Sequence, residues 1–505
     1  MLPIWTRDEA RQADEWAQAN GVPPSALLAV AGFQLARYIH SQHAQDRIVI
    51  LAGSGSNGGD GWVAARHLAS QHLTVTVVPM GEPRFPDAAG WVRAAQAQGV
   101  EVAEGQHGQQ RLKAADLVVD ALYGTGFHGS ILESPAGPWI TQVSSQGVPI
   151  IAADIPSGVN ADTGAYDGPW LNVLATVTMG AAKWGLLGYP ALGMIGELVT
   201  ADIGLAQRSY ANVSGAWLDP GTAFHLLPRP GLLAHKYQRG HVVVIGGSRS
   251  MPGAPWLAAM AALKSGAGLV EVAMPAAVQS LAPLLSAALI RHGVSDNGDG
   301  AMIWSEELKR IVARADALVI GPGLGRAADP RILYELSQLD IPTVVDPYAL
   351  RLIPSLKRVP SHWVITPPAG ELGALLGEDA ARINADRRGA VLRAQLLYAC
   401  PVLLKGRFSL VGDDSQVWAV PTGHVALATA GSGDVLSGMV ARLLASGLSG
   451  GDALALGAYW HGWAGELGGQ TEGLSLTAVD LLDWIRPARQ AIEAEQDPPA
   501  LVWWN

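Results

Sequence analysis

Short apolar segments alternate with longer segments of mixed polarity in the first part of the chain. The segments 47–51, 73–78, 117–119 and 149–153 are almost wholly apolar and rich in Val and Ile. Continuous apolar strands that alternate with helices are typical of a parallel sheet with helices on both faces. In such a sheet, ligands bind beyond the carboxyl ends of the strands.

Two helices are predicted before the first of these strands. The sequence Thr-Arg-Asp-Glu at 6–9 has the spacing of a capping box, with Thr6 as the cap and Glu9 as its reciprocal partner. It predicts a helix that runs to about Ala19 and ends at Asn20-Gly21. A second helix is predicted over 25–42.

The same alternation resumes in the second half of the chain. Strands are predicted at 241–245 and 269–273, with a helix of small residues at 254–265 between them. The pattern loosens at 207–214. The sequence therefore predicts two α/β domains, residues 1–212 and residues 213–505.

Composition narrows the class of protein. Of the 505 residues, 49% are hydrophobic and 15% are charged, which indicates a globular chain of two or three domains. A formal net charge of -10 argues against a general nucleic-acid binder. The N-terminus lacks a basic and apolar leader, no apolar stretch is long enough to span a membrane, and Cys400 is the single cysteine. We expect a cytoplasmic protein with no membrane or nucleic-acid partner, and with Cys400 buried.

A glycine-rich turn at 429–438 leads directly into an apolar helix. The free amide groups at the start of a helix, together with its dipole, favour a bound anion such as phosphate. A carboxylate at this point, Asp434, would repel a phosphate unless it takes a proton from an attacking hydroxyl. The alternative is that Asp434 only caps the helix.

Another glycine-rich segment, 53–61, follows the first strand and precedes a helix predicted at 62–71. Residues 53–58 match the G-x-G-x-x-G pattern of dinucleotide-binding proteins. However, no acidic residue ends the second strand, as a dehydrogenase of the Rossmann type requires. A phosphate-binding Walker loop is also excluded, because no Gly-Lys-Ser/Thr follows.

Polar side chains occur at the ends of three predicted strands. Asn57, Asp120 and Ser157 each lie beside glycines at such an end. Side-chain oxygens of low total charge are ligands for a hard cation rather than for zinc. The alternative is that each residue simply forms a turn.

These segments together resemble the YjeF N-terminal family, the NAD(P)H-hydrate epimerases. The resemblance rests on Asn-Gly-Gly-Asp-Gly at 57–61, Asp-x-Leu-x-Gly-Thr-Gly at 120–126 and Asp-Ile-Pro-Ser-Gly at 154–158, and it covers residues 1–210. It implies a Rossmann-like three-layer domain, with Asp154 as the catalytic acid and with Asn57, Asp120 and Ser157 as potassium ligands. The residues that it assigns to the hydrated dinucleotide are Ser56, Asn57, Gly58, Gly59, Asp60, Gly124, Thr125, Gly126, Phe127, His128, Gly129 and Ser130.

Five motifs of the second half resemble the ADP-dependent NAD(P)H-hydrate dehydratases, which have a ribokinase-like fold. They are Gly-Gly-Ser at 246–248, Gly-Pro-Gly-Leu-Gly at 321–325, Thr-Pro-x-x-Gly-Glu at 366–371, Leu-Lys-Gly at 404–406 and Gly-Ser-Gly-Asp at 431–434. The resemblance covers residues 215–490 and implies Asp434 as the base and Mg²⁺ bound with ADP. The implied ADP contacts are Lys405, Gly406, Arg407, Phe408, Ser409 and Gly433, and the implied substrate contacts are Ala254, Gly325 and the position of Pro368.

Two positions depart from the dehydratase pattern. Pro368 stands where relatives carry a histidine that contacts substrate, and Tyr348 stands where they carry a second aspartate. The loss of one hydrogen-bonding partner costs about 1–3 kcal/mol. We therefore expect a dehydratase half with weakened binding or an altered substrate preference.

The resemblances predict a bifunctional enzyme that repairs hydrated NADH and NADPH, and we expect a homo-oligomer. One alternative is a small-molecule kinase of the ribokinase type with a regulatory N-terminal domain. Another is that the N-terminal half is a nucleotide-binding or scaffolding module without activity.

Overall fold

The structure, a computed structural model, describes residues 2–43, 46–205, 213–279, 287–356, 358–413, 416–499 and 502–504. The chain divides into two compact units. The N-terminal unit contains Leu2–Gly215 and Ala500–Asn505, and the C-terminal unit contains Ala216–Pro499. Most of the loosened segment at 207–214 lies outside the described residues, and the domain boundary after residue 212 stays a prediction.

The elements of the N-terminal unit are, in chain order, β1 (Leu2–Trp5), α1 (Arg7–Ala19), α2 (Pro24–Gln42), β2 (Arg47–Gly53), α3 (Ser56–Ser70), β3 (Thr74–Met80), α4 (Ala88–Ala97), β4 (Glu101–Val102), α5 (Gly105–Lys113), β5 (Leu117–Ala121), α6 (Gly137–Gln146), β6 (Ile150–Ala153), β7 (Val173–Met179), β8 (Ala182–Lys183) and β9 (Glu197–Ala201).

The elements that follow are β10 (Gly215–Trp217), α7 (Pro220–Leu226), β11 (His241–Ile245), α8 (Ala254–Lys264), β12 (Leu269–Pro275), α9 (Ala276–Gln279), β13 (Ile290–Val294), α10 (Glu306–Val312), β14 (Ala317–Ile320), α11 (Arg331–Leu336), β15 (Thr343–Val345), α12 (Pro347–Leu350), β16 (Trp363–Ile365), α13 (Ala369–Leu376), α14 (Ala380–Ala385), α15 (Arg387–Tyr398), β17 (Val402–Leu404), β18 (Ser409–Gly412), β19 (Val417–Val420), α16 (Ser432–Leu444), α17 (Gly450–Glu472), α18 (Ala478–Glu493) and β20 (Val502–Trp504).

The N-terminal unit is built on a parallel sheet with the strand order β20-β9-β7-β6-β5-β2-β3-β4. The chain leaves β2 toward β3 on one side and returns to β5 on the other. This reversal is a topological switch point, where the loops beyond the two strands diverge and open a crevice. The parallel α/β class predicted for this unit is confirmed.

Both faces of this sheet are buried, which explains the continuous apolar strands. In β2, Ile48, Ile50 and Ala52 belong to one hydrophobic cluster. Val49 and Leu51 belong to a second cluster on the opposite face. Helices α2 and α3 contribute to the first cluster and α6 to the second, so the unit has three layers.

The predicted start of the first helix is confirmed, whereas that of the third is wrong. Thr6 and Glu9 form the reciprocal capping box, and α1 ends at Ala19. Helix α3 begins at Ser56, with Gly55 as its cap, rather than at Trp62. The glycines of its first turns allow close packing, because a Cβ at Gly58 would overlap the carbonyl of Gly53.

The sheet of the C-terminal unit has the order β13-β12-β11-β14-β15-β16-β17-β18-β19-β10. The first seven strands in this order, from β13 through β12 and β11 to β17, are parallel. Strands β18 and β19 continue the sheet as an antiparallel meander that the sequence did not predict. Neighbours β12 and β14 flank β11, so this sheet also has a switch point, between β11 and β14. Helices α8, α16, α17 and α18 supply much of its core.

Cys400 is buried with 2% of its surface exposed, as expected, and burial raises the pKa of its thiol to about 12. Among the described helices, none combines the length and the apolar character that a membrane crossing requires.

Candidate active sites

The candidate site of the N-terminal unit lies at the carboxyl ends of β2, β5 and β6. Asp120 is the penultimate residue of β5 and is 1% exposed. Its carboxylate accepts hydrogen bonds from the amide of Ser157 at 2.8 Å and from the hydroxyl of Ser157 at 2.5 Å. Burial raises the pKa of Asp120, and the hydrogen bonds from Ser157 oppose that effect. Two of the three proposed cation ligands are therefore in direct contact.

Asn57 comes to the same edge from the first turn of α3. Its side chain is buried, and neither its oxygen nor its nitrogen has a hydrogen-bond partner among the described residues. A buried amide without a partner carries an unfavourable desolvation free energy, which a bound ligand or ion would relieve.

Asp154 follows β6 directly and has a left-handed backbone with a φ of 67°. Its Oδ1 accepts hydrogen bonds from the amide of Met179 and the hydroxyl of Thr178, both at 3.3 Å, and forms an ion pair with Lys183. Its other oxygen, Oδ2, points toward Gly124. A Cβ built on Gly124 would lie 3.3 Å from this oxygen and 3.5 Å from Asn57, so glycine keeps the space between them open.

Two more carboxyl groups, Asp60 and Asp14, interact electrostatically with this ion pair, and its lysine was not among the predicted site residues. Burial, Asp154 and Asp14 raise the pKa of Asp60 well above its usual value, and Lys183 opposes them. Burial likewise raises the pKa of Asp14, against the effect of Lys183. Lys183 left a signal in the sequence, because it is the single charged residue between Asp167 and Glu197.

The residues of the loop 124–130 differ in the contacts that they make at the candidate site. Gly124 faces Asp154 and Asn57, as described above. Phe127 stacks on Tyr123 with ring centroids 4.6 Å apart. The exposed His128 bonds the guanidinium of Arg7, and Ser130 bonds Asp167. Thr125, Gly126 and Gly129 lie in the same loop, with Gly126 and Gly129 exposed.

The candidate site of the C-terminal unit is centred on the start of α16. Gly431, with a φ of 90°, is the cap residue, and Asp434 lies inside the first turn. The alternative role of Asp434 as the cap is therefore wrong. A Cβ on Gly433 would lie 3.2 Å from Nζ of Lys405, so the ammonium of this lysine lies directly over the helix start.

Three carboxyl groups surround Lys405. Burial and Asp346 raise the pKa of Asp434 to about 8, and Lys405 opposes them. Asp346 is 2% exposed and accepts a hydrogen bond from Ser437 of α16 at 2.7 Å. Burial raises the pKa of Glu371 to about 6. Lys405 thus faces a buried acidic cluster and is not simply a solvated lysine before a turn.

His461 of α17 also belongs to this site and was not predicted. Burial lowers its pKa to about 4, so the ring is neutral near pH 7, and its Nε2 lies 2.9 Å from the carbonyl of Ser432. The Nε2–H therefore donates to that carbonyl and supports the turn ahead of Asp434. A histidine inside an apolar helix gives no sequence signal for this contact.

Hydrogen bonds made by its backbone hold the predicted ADP loop, residues 405–409, in place. Arg387 donates to the carbonyls of Arg407 and Phe408 at 2.9 and 3.0 Å. The amide of Gly406 donates to the hydroxyl of Ser409 at 3.3 Å. Phe408 is 2% exposed and packs edge-on against Trp217, so its side chain belongs to the core and only its backbone can meet a ligand.

The predicted substrate contacts lie near the switch point between β11 and β14. Ala254 begins α8, and a Cβ on Gly323 would lie 3.0 Å from Ala254. Gly325, with a φ of 75°, lies beside Ser248, and its carbonyl accepts a hydrogen bond from Arg351. The guanidinium of Arg351 lies 5.7 Å from the ring of Tyr348, which is 39% exposed.

The backbone next to Pro368 is linked to Lys405 by a hydrogen bond. It is the cap residue of α13, and the amide of Lys405 donates to the carbonyl of the preceding Pro367 at 3.0 Å.

Comparison with known proteins gives two family matches that together span both units. Residues 24–185 match the YjeF-related protein N-terminus, and residues 242–487 match the NAD(P)H-hydrate dehydratase family. The chain is 36% identical to the bifunctional NAD(P)H-hydrate repair enzyme Nnr of Moorella thermoacetica, over 97% of each chain. It is 32% identical to the enzyme of the same name from Coxiella burnetii, over 96% of this chain and 99% of the relative.

The chain belongs to the bifunctional NAD(P)H-hydrate repair enzymes.

The family was predicted from the motifs, and that prediction is confirmed. The α/β class predicted for the C-terminal domain is confirmed as well, since helices pack on its largely parallel sheet. A solved ADP/ATP-dependent NAD(P)H-hydrate dehydratase from Bacillus subtilis, co-crystallised with ATP and Mg²⁺, is 25% identical and matches 55% of this chain and 98% of its own, with a TM-score of 0.49.

Proposed function

We propose that the N-terminal unit interconverts the R and S forms of hydrated NADH and NADPH, and that the C-terminal unit dehydrates the S form with ADP. The observation that supports this best is the same in both units. Each places one predicted acid, Asp154 or Asp434, beside a lysine at the carboxyl edge of its sheet. Spontaneous hydration gives both epimers, so a dehydratase specific for one of them needs an epimerase.

The epimerase step requires a proton at one oxygen. Protonation of the C6 hydroxyl by Asp154 lets it leave as water, and the ring nitrogen stabilises the resulting cation. Water then adds to the opposite face of C6 and returns its proton to Asp154, so atoms and charges balance. Oδ2 of Asp154 is the oxygen available for this exchange, because Oδ1 is occupied by its donors.

The residues present fit a potassium ion beside this site. Asp120 supplies a buried carboxylate, Ser157 supplies a hydroxyl, and Asn57 supplies a buried amide oxygen that accepts no hydrogen bond from the described residues. These are oxygen ligands of low total charge. When bound, the ion would balance the charge of Asp120 and hold the start of α3 against the ends of β5 and β6.

The dehydratase step begins with phosphoryl transfer from ADP to the C6 hydroxyl. Asp434 takes the hydroxyl proton while Lys405 and the amides at the start of α16 hold phosphate charge. The transfer leaves AMP. The C6–O bond then breaks, the departing phosphate takes up the proton from C5, and the C5–C6 double bond of the dihydronicotinamide is restored. Mg²⁺ bound with ADP would supply further charge, and Glu371 fits it, since its buried Oε2 has no hydrogen-bond partner among the described residues.

A single assay tests both halves of the proposal. The protein is incubated with an R and S mixture of hydrated NADH, with ADP and Mg²⁺, in potassium or in lithium buffer. We expect full recovery of the dihydronicotinamide absorbance in potassium. Accumulation of a stable phosphorylated dinucleotide would instead favour the small-molecule kinase.

The variant Asp154→Ala tests the assignment of the first acid. Exchange between the R and S hydrates is monitored by chromatography in the absence of ADP. The exchange should fall to the spontaneous rate, while dehydration of the S form continues. The matched control is Glu104→Ala, an exposed carboxylate of the same unit at the start of α5. Unchanged exchange in Asp154→Ala would remove this residue from the mechanism.

A further inference from the structure

Lys183 is a buried ammonium whose hydrogen bonds converge on one oxygen of Asp154. Its side chain is 3% exposed, and that of Asp154 is 13% exposed. Besides the ion pair with Oδ1, the ammonium donates to Oγ1 of Thr178 at 3.0 Å and to the carbonyl of Met179 at 2.9 Å. An ammonium has three hydrogens, so these three acceptors use all of them.

The three residues that accept these hydrogen bonds are also bonded among themselves, which makes the arrangement rigid. The hydroxyl of Thr178 lies between Lys183 and Oδ1 of Asp154, and the amide of Met179 donates to that same oxygen. The backbone of Asp154 is pinned as well, because its amide donates to the carbonyl of Val177 at 2.8 Å. A non-glycine residue in the left-handed region persists only where its surroundings hold it.

This leaves the two oxygens of Asp154 in different environments. Oδ1 is saturated by donors from β7 and β8, whereas Oδ2 faces the gap beside Gly124 and Asn57. The neighbouring carboxyls come from two other elements, Asp14 from α1 and Asp60 from α3.

We propose that Lys183 is a positioning residue of the epimerase site: it holds Oδ1 of Asp154, so that Oδ2 alone faces C6 of the hydrate. The proposal rests on the proposed role of Asp154. The ion pair between Lys183 and Asp154 then serves the epimerisation and not only the stability of the fold.

The test compares Lys183→Met and Lys183→Arg with Lys113→Met, an exposed lysine of the same unit. Epimerisation kinetics are measured on the full chain, with dehydration of the S hydrate by the other unit as an internal control for folding. For Lys183→Met we expect kcat to fall about 100-fold with KM changed less than about threefold, because the carboxyl is misplaced while the binding surface remains. Lys183→Arg should recover part of kcat, and Lys113→Met should match the wild type.

A second variant covers the possibility that Lys183→Met does not fold. Thr178→Val keeps the ion pair and removes the bridging hydroxyl, and we expect a fall in kcat of about 3–10-fold at unchanged KM. Wild-type kcat in Lys183→Arg and Thr178→Val, or a change confined to KM, would overturn the positioning role. If Asp154→Ala also retains exchange, the proposed function of Asp154 fails instead, and the two failures are distinguishable.

Discussion

Each unit groups acidic side chains around one lysine. Lys183 acts on Asp14, Asp60 and Asp154, and Lys405 acts on Asp346, Glu371 and Asp434. Burial raises the pKa of Asp14 and Asp60 in the first cluster. In the second cluster it raises the pKa of Glu371 to about 6 and that of Asp434 to about 8. Groups that exchange protons near neutrality are suited to acid–base catalysis.

Asp434→Asn should lower dehydratase activity and raise stability. Dehydration should fall about 100-fold or more, because Asn cannot take the hydroxyl proton. The folded-state pKa of Asp434 is raised to about 8, so the folded wild type loses stability as pH rises from about 4 toward 8. Asparagine removes that loss, and we expect a gain of about 1–3 kcal/mol near pH 8 and none near pH 4.

Urea unfolding at the two pH values measures this gain. Asp483→Asn is the matched control, because this carboxylate is 78% exposed in its ion pair with Lys264 and should change stability little at either pH. An equal gain for Asp434→Asn at both pH values would contradict the raised pKa.

At the scale of single elements, both sites use the glycine-rich start of a helix. Gly55 caps α3 and Gly431 caps α16. Since glycine has no side chain, neither cap residue can bond the first amides of its helix. Free helix-start amides suit phosphate in both places. In α3 the glycines also admit close packing, because a Cβ on Gly59 would lie 2.8 Å from side-chain atoms of Leu28 and Phe85.

Gly58→Ala should therefore displace the start of α3. The added methyl would overlap the carbonyl of Gly53, a backbone atom that cannot move aside without shifting the end of β2. We expect a loss of about 1–3 kcal/mol in stability and a large fall in epimerisation, with dehydration retained. Gly90→Ala of α4 is the control, since no atom lies within 4 Å of its added Cβ and alanine favours a helix. Equal stability of the two variants would contradict the close packing.

At the scale of the whole molecule, the two activities should separate and recombine. Asp154→Asn protein with ADP should convert the S fraction of a hydrate mixture quickly and the rest at the spontaneous rate. Asp434→Asn protein alone should convert the mixture about 100-fold or more slowly than the wild type. Mixing the two should restore complete conversion, because hydrates released by one protein reach the other through solution. A slow phase that persists in the mixture would contradict two independent catalysts.

Local sequence patterns determined much of the secondary structure and the family. The capping box of α1 and the apolar strands of the parallel sheets depend on residues that are neighbours in the chain. Such features follow from backbone conformation and from hydrophobic periodicity, which act over a few residues. The motifs that carry the two family resemblances are equally local.

Tertiary structure alone decided which charges meet. Lys183 bonds Asp154 from 29 positions away, and Ser437 bonds Asp346 from 91 positions away. These contacts depend on the order of strands in each sheet, which no short segment encodes. Burial of the same groups sets their pKa values, because the low dielectric of the interior exists only once the layers have packed. The start of α3 at Ser56 was also a tertiary outcome, since its glycines fit a helix only where α2, β2 and β5 leave no room for side chains.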